Sequence, residues 1–202
     1  MKTWLFRPFD RIAGGPALAL GLVVIVITAV VAWQAGMVTD GVLDLHFVEH
    51  TRLSKLLAMG FANWLLLAAA LLIAGHWLTA TRYRLVDLLG TQALARWPML
   101  AGAGYMSIPA VGRETERLTI KLMEAMPSEP HQVVASMEYL LDALWLTLIS
   151  LPVLALIVWM VWLMYHGYAL VFNLRGWRAV VSFIIALVAA EIVSKFAAYW
   201  IV

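Results

Sequence analysis

The sequence predicts an all-α membrane protein, a single bundle of five transmembrane helices. Hydrophobic residues make up 64% of the chain and charged residues only 13%, whereas roughly a quarter of the residues are charged in an average soluble protein. Residues 16–38 and 56–81 contain no Asp, Glu, Lys or Arg. Each run is longer than the about 20 helical residues that cross a hydrocarbon layer about 30 Å thick. No internal repeat is visible, so we predict one domain.

The five predicted spans follow the hydropathy of the chain. They cover approximately residues 14–38, 55–80, 85–111, 137–166 and 177–202. The third span is the least apolar, because it contains Asp87 and Arg96 and is interrupted by Pro98 and Pro109. The fourth is uncharged from residue 143 to 165, and the fifth carries Glu191 and Lys195 in its apolar part from about residue 179.

The third loop, between the third and fourth spans, predicts a short helix that lies on the bilayer surface. Leu118, Leu122 and Met126 recur at helical spacing, and the charged residues lie elsewhere around the turn, which is typical of an interfacial amphipathic helix. Pro127 would end this helix. The alternative is a solvated connector with a single helical turn.

The distribution of basic residues predicts the orientation. The side that holds the N-terminus carries Lys2, Arg7, Arg11, Arg82, Arg84, Arg96, Arg175 and Arg178. The other side carries Arg52, Lys55, Arg113, Arg117 and Lys121. Because Lys and Arg are enriched on the cytoplasmic side of a membrane, we expect a cytoplasmic N-terminus and an external C-terminus in a bacterial inner membrane.

Two function classes are disfavoured by composition. The chain has no cysteine, which excludes disulfides and thiolate metal sites. It also lacks a dense cluster of Lys and Arg of the kind that binds the phosphate backbone of nucleic acids, so nucleic-acid binding is not expected.

One short motif indicates a metal site. The sequence HFVEH contains His46, Glu49 and His50 and matches the His-x-x-Glu-His pattern of inverted zinc proteases, in which two histidines four residues apart on a helix bind zinc. Glu124, Glu129 or His131 could supply a third ligand. The loop is too short for the soluble fold that normally holds this motif, so membrane zinc proteolysis is a remote alternative, and we predict no catalytic residue, metal or cofactor.

Three stretches carry a resemblance to a known family. The N-terminal RPFDRI (residues 7–12), YRLVDLLGTQALARWP (83–98) and YALVFNLRGWRAVVSFIIALVAAEIV (168–193) resemble the start, the third span and the last loop and helix of the Yip family of integral membrane proteins. Eukaryotic members act in vesicle trafficking, bind prenylated small GTPases and carry a long cytoplasmic N-terminal region. Because only residues 1–13 precede the first predicted span here, the resemblance implies a short prokaryotic-type member.

The expected role is therefore membrane organisation or binding of a membrane-protein partner, including a second copy of the chain, without catalysis. A small oligomeric transporter or channel is the alternative, because Asn63, Arg96, Glu191 and Lys195 fall inside predicted spans and ionisable groups there are functional candidates. Arg96 and Glu191 lie about 18 and 20 Å from the same end of the bundle at the helical rise. We therefore predict that these two pair, and that Lys195 reaches toward the outer surface.

Overall fold

The computed structural model describes residues 5–44, 46–47, 51–125 and 137–201 and is almost entirely helical. After a 3₁₀ turn at Pro8–Asp10, the helices are α1 (Gly14–Gln34), α2 (Leu53–Leu78), α3 (Leu85–Leu94), α4 (Trp97–Met106), α5 (Pro109–Glu124), α6 (Met137–Val171) and α7 (Gly176–Ile201). Two short strands, β1 (Met37–Val38) and β2 (His46–Phe47), pair antiparallel between α1 and α2. The all-α prediction is confirmed.

Four helices of the described chain are long and apolar enough to cross a membrane. These are α1, α2, α6 and α7. Large apolar side chains on their outer surfaces remain exposed in the isolated chain, among them Ile73, Val158 and Phe196. Such a surface is stable only against other apolar groups, which fits an integral membrane protein.

The third predicted span is not one continuous helix, so five transmembrane helices are not confirmed. Residues 85–106 form α3 and α4 instead, each of 10 residues, and a helix of that length rises only about 15 Å. Pro98 explains the break, because proline lacks the N–H that would bond to the carbonyl four residues earlier and its ring clashes with that carbonyl. That carbonyl belongs to Leu94, the last residue of α3.

The broken segment α3–α4 runs alongside α1 in the same chain direction. A Cβ atom on Gly90 would lie 2.6 Å from the carbonyl oxygen of Gly14, and one on Gly21 would overlap Ala93. At the other end, Ala103 packs in one cluster with the last turn of α1. The absence of side chains at both glycines allows this close approach.

Spans that follow one another in the chain alternate in direction. Gly75, near the end of α2, packs against the Phe172 ring just after α6. Gly167 of α6 lies against Thr91 of α3. The core between these helices contains the buried residues Leu67, Leu71, Leu88, Met160, Leu163, Met164, Tyr168 and Phe183. We call the end of the bundle where α1 finishes and α2 begins the distal end.

Helix α6 is much longer than its neighbours and extends past the distal end. Its 35 residues span about 52 Å at the helical rise. The Tyr105 hydroxyl near the end of α4 donates to the Ile149 carbonyl at 3.1 Å, so residues 137–149 extend about 18 Å beyond the level at which α4 ends. The first turns of α6 therefore lie outside the bundle formed by the other spans.

Helix α5, which includes the first part of the third loop, packs against this extension, and a short helix on the bilayer surface, as predicted for this loop, is not confirmed. Leu118 and Leu122 of α5 are buried, and Lys121 Nζ lies 2.6 Å from Asp142 Oδ2 and 2.8 Å from Glu138 Oε1. We call α5 and residues 137–149 of α6 the distal hairpin. The predicted helix end at Pro127 lies outside the described residues.

Candidate functional site

Residues 39–44, which we call the closing loop, cover the distal end of the bundle. Gly36, with φ of 64°, turns the chain after α1, and the β1–β2 pairing fixes the base of the loop. The Asn63 side chain on α2 then donates from Nδ2 to the carbonyls of Thr39 at 3.1 Å and Gly41 at 2.8 Å. Asn63, predicted as an intramembrane polar residue, therefore supplies hydrogen bonds to two backbone carbonyl groups of the loop, and buried carbonyl groups need such partners.

Glu191 on α7 satisfies the donors of the same loop. Its Oε2 atom accepts hydrogen bonds from the backbone N–H groups of Val42 at 2.7 Å and Leu43 at 3.1 Å. The carboxylate also fills the space beside Gly41, where a Cβ atom would meet it. Charge-assisted bonds of this kind are about twice as strong as neutral ones, so Glu191 is the main anchor of the closing loop.

Lys195, one turn further along α7, holds the side chains of the loop. Its Nζ atom lies 2.7 Å from Asp44 Oδ2 and 3.6 Å from Asp40 Oδ1. Burial opposes ionisation of Asp44, but the hydrogen bonds with Lys195 and Asp40 and the charges of Lys195 and His46 outweigh it, and the pKa of Asp44 is lowered. Lys195 thus binds the two loop acids, and its reach toward the outer membrane surface stays a prediction.

Arg96 lies at the break between α3 and α4 and is buried, with 8% of its surface exposed. Its Nε and Nη2 atoms have no hydrogen-bond partner in the described part of the chain. The predicted direct pair with Glu191 is therefore wrong. Glu191 is the acid whose negative charge acts on Arg96, but its Oε2 oxygen is occupied by the closing loop.

A cavity of about 30 Å³ adjoins Arg96 beneath the closing loop. Thr28 and Gly60 line it from α1 and α2, and Thr39 and Gly41 line it from the loop. This volume is enough for about two water molecules. The cavity therefore offers room for solvent beside a guanidinium that the protein leaves unsatisfied.

Gln92 is a buried polar residue that the sequence analysis missed. Its Nε2 atom donates to the Met164 carbonyl at 3.1 Å, and its Oε1 atom has no partner in the described chain. Its position four residues before Arg96 was the available signal, because two polar side chains at that spacing share one helical face.

The zinc motif was predicted to lie on a helix, but its first residue is not helical. His46 belongs to strand β2, and Glu49, His50, Glu129 and His131 lie outside the described residues. His46 instead groups with Asp40 and Asp44, whose ligand atoms lie within 4.8 Å of one another. Because Lys195 already binds Asp44, an ammonium group occupies the place where a cation would sit.

A second cavity, which we call the distal groove, lies beside the distal hairpin and has a volume of about 1040 Å³. Its walls are α5, one side of α6, the distal end of α4, and the strands β1 and β2 with the two residues that follow α1. The apolar lining includes Ile120 and Ile157, and the polar lining includes Arg113, Glu116 and Ser150. The groove could therefore hold an amphipathic segment.

Comparisons with family models, curated proteins and solved structures find no match to this chain.

Proposed function

We propose that this chain is a five-pass integral membrane protein that organises the membrane by binding a protein partner at its distal end, as expected for a short Yip-type member. The observation that carries this proposal is the distal hairpin, which rises about 18 Å above the end of the bundle and borders a groove of about 1040 Å³. A hairpin of this kind presents two helices to a partner outside the hydrocarbon layer.

The packing of α3–α4 supports the fifth pass. The two helices together follow α1 from Gly14 to its last turn, and α1 alone is long enough to cross the bilayer. The break falls at Arg96, where protein surrounds the backbone, and such breaks are tolerated at membrane depth only when they are covered in this way. Five passes would put the two ends of the chain on opposite sides of the membrane, and the positive-inside rule then favours a cytoplasmic N-terminus and an external C-terminus.

The arrangement of α5 supports partner binding over attachment to the lipid surface. Lys121 ties α5 to two acids on α6, which holds the helix upright along the extension of α6. Its exposed apolar residues Ile120 and Met123 then face the distal groove. Apolar side chains around a polar-rimmed cleft are characteristic of protein interfaces.

The bonding of the closing loop favours a structural role for its polar groups. Asn63, Glu191 and Lys195 each bind backbone or side-chain groups of that loop. These bonds account for the three polar residues in the predicted spans, so no transport or catalytic role is needed to explain them. We assign them to stabilisation of the distal end.

Site-specific photocrosslinking tests the partner proposal. A benzophenone amino acid at Ile120 or Met123 in the groove should give a discrete protein adduct in native membranes, whereas the same group at Ile73 on α2, which is 63% exposed, should label lipid. An adduct at Ile73 with the same protein partner, or lipid labelling alone at both groove positions, would contradict the proposal.

The transporter alternative keeps one observation in its favour, the unpartnered guanidinium of Arg96 beside a cavity. A cavity of about 30 Å³ is too small to conduct a solute, so transport would require the closing loop to move away from the distal end. Asn63→Ala loosens the loop and should then raise anion flux into liposomes, and a further Arg96→Met substitution should abolish the increase. Equal flux in all three proteins would eliminate this function.

A further inference from the structure

We propose that this chain binds the headgroups of anionic phospholipids through arginines at the end of the bundle opposite the closing loop. We call this the proximal end, where α2 and α6 finish and α7 begins. This surface is separate from the distal groove, and binding at either one does not require the other.

Two loops at the proximal end are joined into one surface. The Thr79 hydroxyl donates to the Phe172 carbonyl at 2.7 Å, which links the loop after α2 to the loop after α6. The Phe172 ring lies against Tyr83, with 4.7 Å between the ring centroids, and covers Gly75 of α2. His76 Nδ1 lies 2.8 Å from the Tyr83 hydroxyl. Contacts at Thr79 and at Tyr83 therefore fix the backbone between them.

The two loops and the first turn of α7 carry four exposed arginines. These are Arg82, Arg84, Arg175 and Arg178, which we call the proximal arginine cluster. Arg84 Nε lies 4.0 Å from Asp87 Oδ2, and in the described part of the chain no acid lies within that distance of the other three. Most of the positive charge of the cluster is therefore left for a partner from outside the chain.

The depth of the cluster favours lipid over a soluble partner. Helices α2 and α7 are each long and apolar enough to cross a membrane, so residues at their proximal ends lie at a membrane surface. Trp77 and Trp177 beside the cluster are 83% and 72% exposed, and tryptophan is enriched at the level of the headgroups. The arginines thus meet lipid phosphates at the depth where these normally lie.

The guanidinium group suits a phosphodiester ligand. It is always charged, and its parallel N–H groups can bond two phosphate oxygens at once. Helix α7 begins at Gly176, so its first backbone N–H groups, which have no acceptor within the helix, add donors in the segment that carries Arg175 and Arg178. A headgroup with net negative charge gains more here than a zwitterionic one, whose positive group the arginines repel.

Lipid retention by the purified protein tests this assignment. Delipidated protein in detergent is mixed with equal amounts of phosphatidylglycerol and phosphatidylcholine that have the same acyl chains, and the bound lipids are counted by native mass spectrometry. Wild type should retain about fivefold more phosphatidylglycerol than phosphatidylcholine, because basic clusters at a membrane surface favour anionic lipids. High salt in the lipid mixture should reduce this ratio, because exposed charges are screened.

Charge-matched variants locate the binding surface. Arg175→Gln with Arg178→Gln should lower the ratio to below about twofold, because half of the cluster is lost. The control is Arg52→Gln with Lys55→Gln at the distal start of α2, which should leave the ratio unchanged. This pair has the same spacing and the same position relative to the start of its helix, but it is not joined to a second loop of arginines.

Every other outcome overturns the inference. Equal retention of the two lipids by wild type, or an unchanged ratio in Arg175→Gln with Arg178→Gln, would exclude the site. Equal losses in the proximal and distal variants would indicate attraction to net charge alone. If the first variant does not fold, Arg82→Gln with Arg84→Gln must show the same loss. An acidic protein or a nucleic acid that salt releases from wild type, without any lipid preference, would assign the cluster to a different partner.

Discussion

The carboxylate carbon of Glu191 lies 2.9 Å from the position that a Cβ atom on Gly41 would occupy. Real Cβ atoms essentially never approach a neighbour this closely, so glycine at this position is a condition for the anchoring of the closing loop. The two residues are 150 positions apart in the chain, and their contact joins the first loop to the last helix.

Gly41→Ala should therefore destabilise the protein. The added methyl group would displace the Glu191 carboxylate from the N–H groups of Val42 and Leu43, and overpacking of this kind costs about 1–3 kcal/mol. The measurement is the melting temperature in detergent. Gly104→Ala is the control, because no atom lies within 4 Å of a Cβ there, and its melting temperature should stay the same or rise. Equal effects of the two substitutions would refute the proposed contact.

The contact between Asp44 and Lys195 should make stability depend on acid pH. The pKa of Asp44 is lower in the folded protein than its ordinary value of 3.8, so this carboxyl stabilises the fold above that value. The contribution is lost as pH falls through the folded pKa. Asp44→Asn should thus lower the melting temperature at pH 6, and the difference from wild type should shrink below pH 3.8. A constant difference across this range would contradict the assignment.

Arg96→Met should leave the melting temperature unchanged or raise it. The guanidinium is buried with two unpartnered nitrogen atoms, and replacing a poorly satisfied buried charge by an apolar side chain of similar length removes a desolvation penalty. Glu191→Met provides the contrast. It leaves the backbone N–H groups of Val42 and Leu43 without an acceptor and should lower the melting temperature. A fall of several degrees in Arg96→Met would mean that solvent or an ion in the cavity satisfies Arg96.

Chelator-free wild-type protein should contain no stoichiometric zinc. Lys195 Nζ lies 2.7 Å from Asp44 and competes with any cation for the Asp40, Asp44 and His46 group. Lys195→Met should bind zinc more tightly than wild type, and Lys195→Met with His46→Ala should lose that gain. Elemental analysis after gel filtration gives the metal content. One zinc per wild-type chain would overturn the prediction that the chain is not a metalloenzyme.

Reporter fusions distinguish five passes from four. A reporter after Val202 should report an external location, and one inserted at Gly176, the first residue of α7, should report the cytoplasm. If only α1, α2, α6 and α7 crossed, the two ends of the chain would lie on the same side. A cytoplasmic signal from the C-terminal reporter would therefore exclude the fifth pass through α3–α4.

The uncharged runs 16–38 and 56–81 predicted α1 and α2 closely, and the hydropathy of the last 26 residues predicted α7 despite its charged residues, because hydropathy over about 20 residues identifies transmembrane helices. The break at Ala95 and Arg96 was not predicted, although Pro98 and Pro109 were visible, because proline can bend a span as well as end a helix. Hydropathy also predicted where Asn63 and Glu191 lie, but not what they bind. Their partners are backbone groups of a loop, and such groups carry no side-chain signature in the sequence.

The proline in the middle of α6 lies close to the level at which the bundle ends. Pro152 follows Ile149, the residue bound by Tyr105, by three positions, and it removes the hydrogen bond to the Leu148 carbonyl. A hinge is therefore located where the supported part of α6 meets its extension. A swing of about 10° there would move the tip of the hairpin, about 22 Å from Pro152, by about 4 Å. The distal hairpin can therefore tilt as a rigid unit while the core contacts of α6 stay in place.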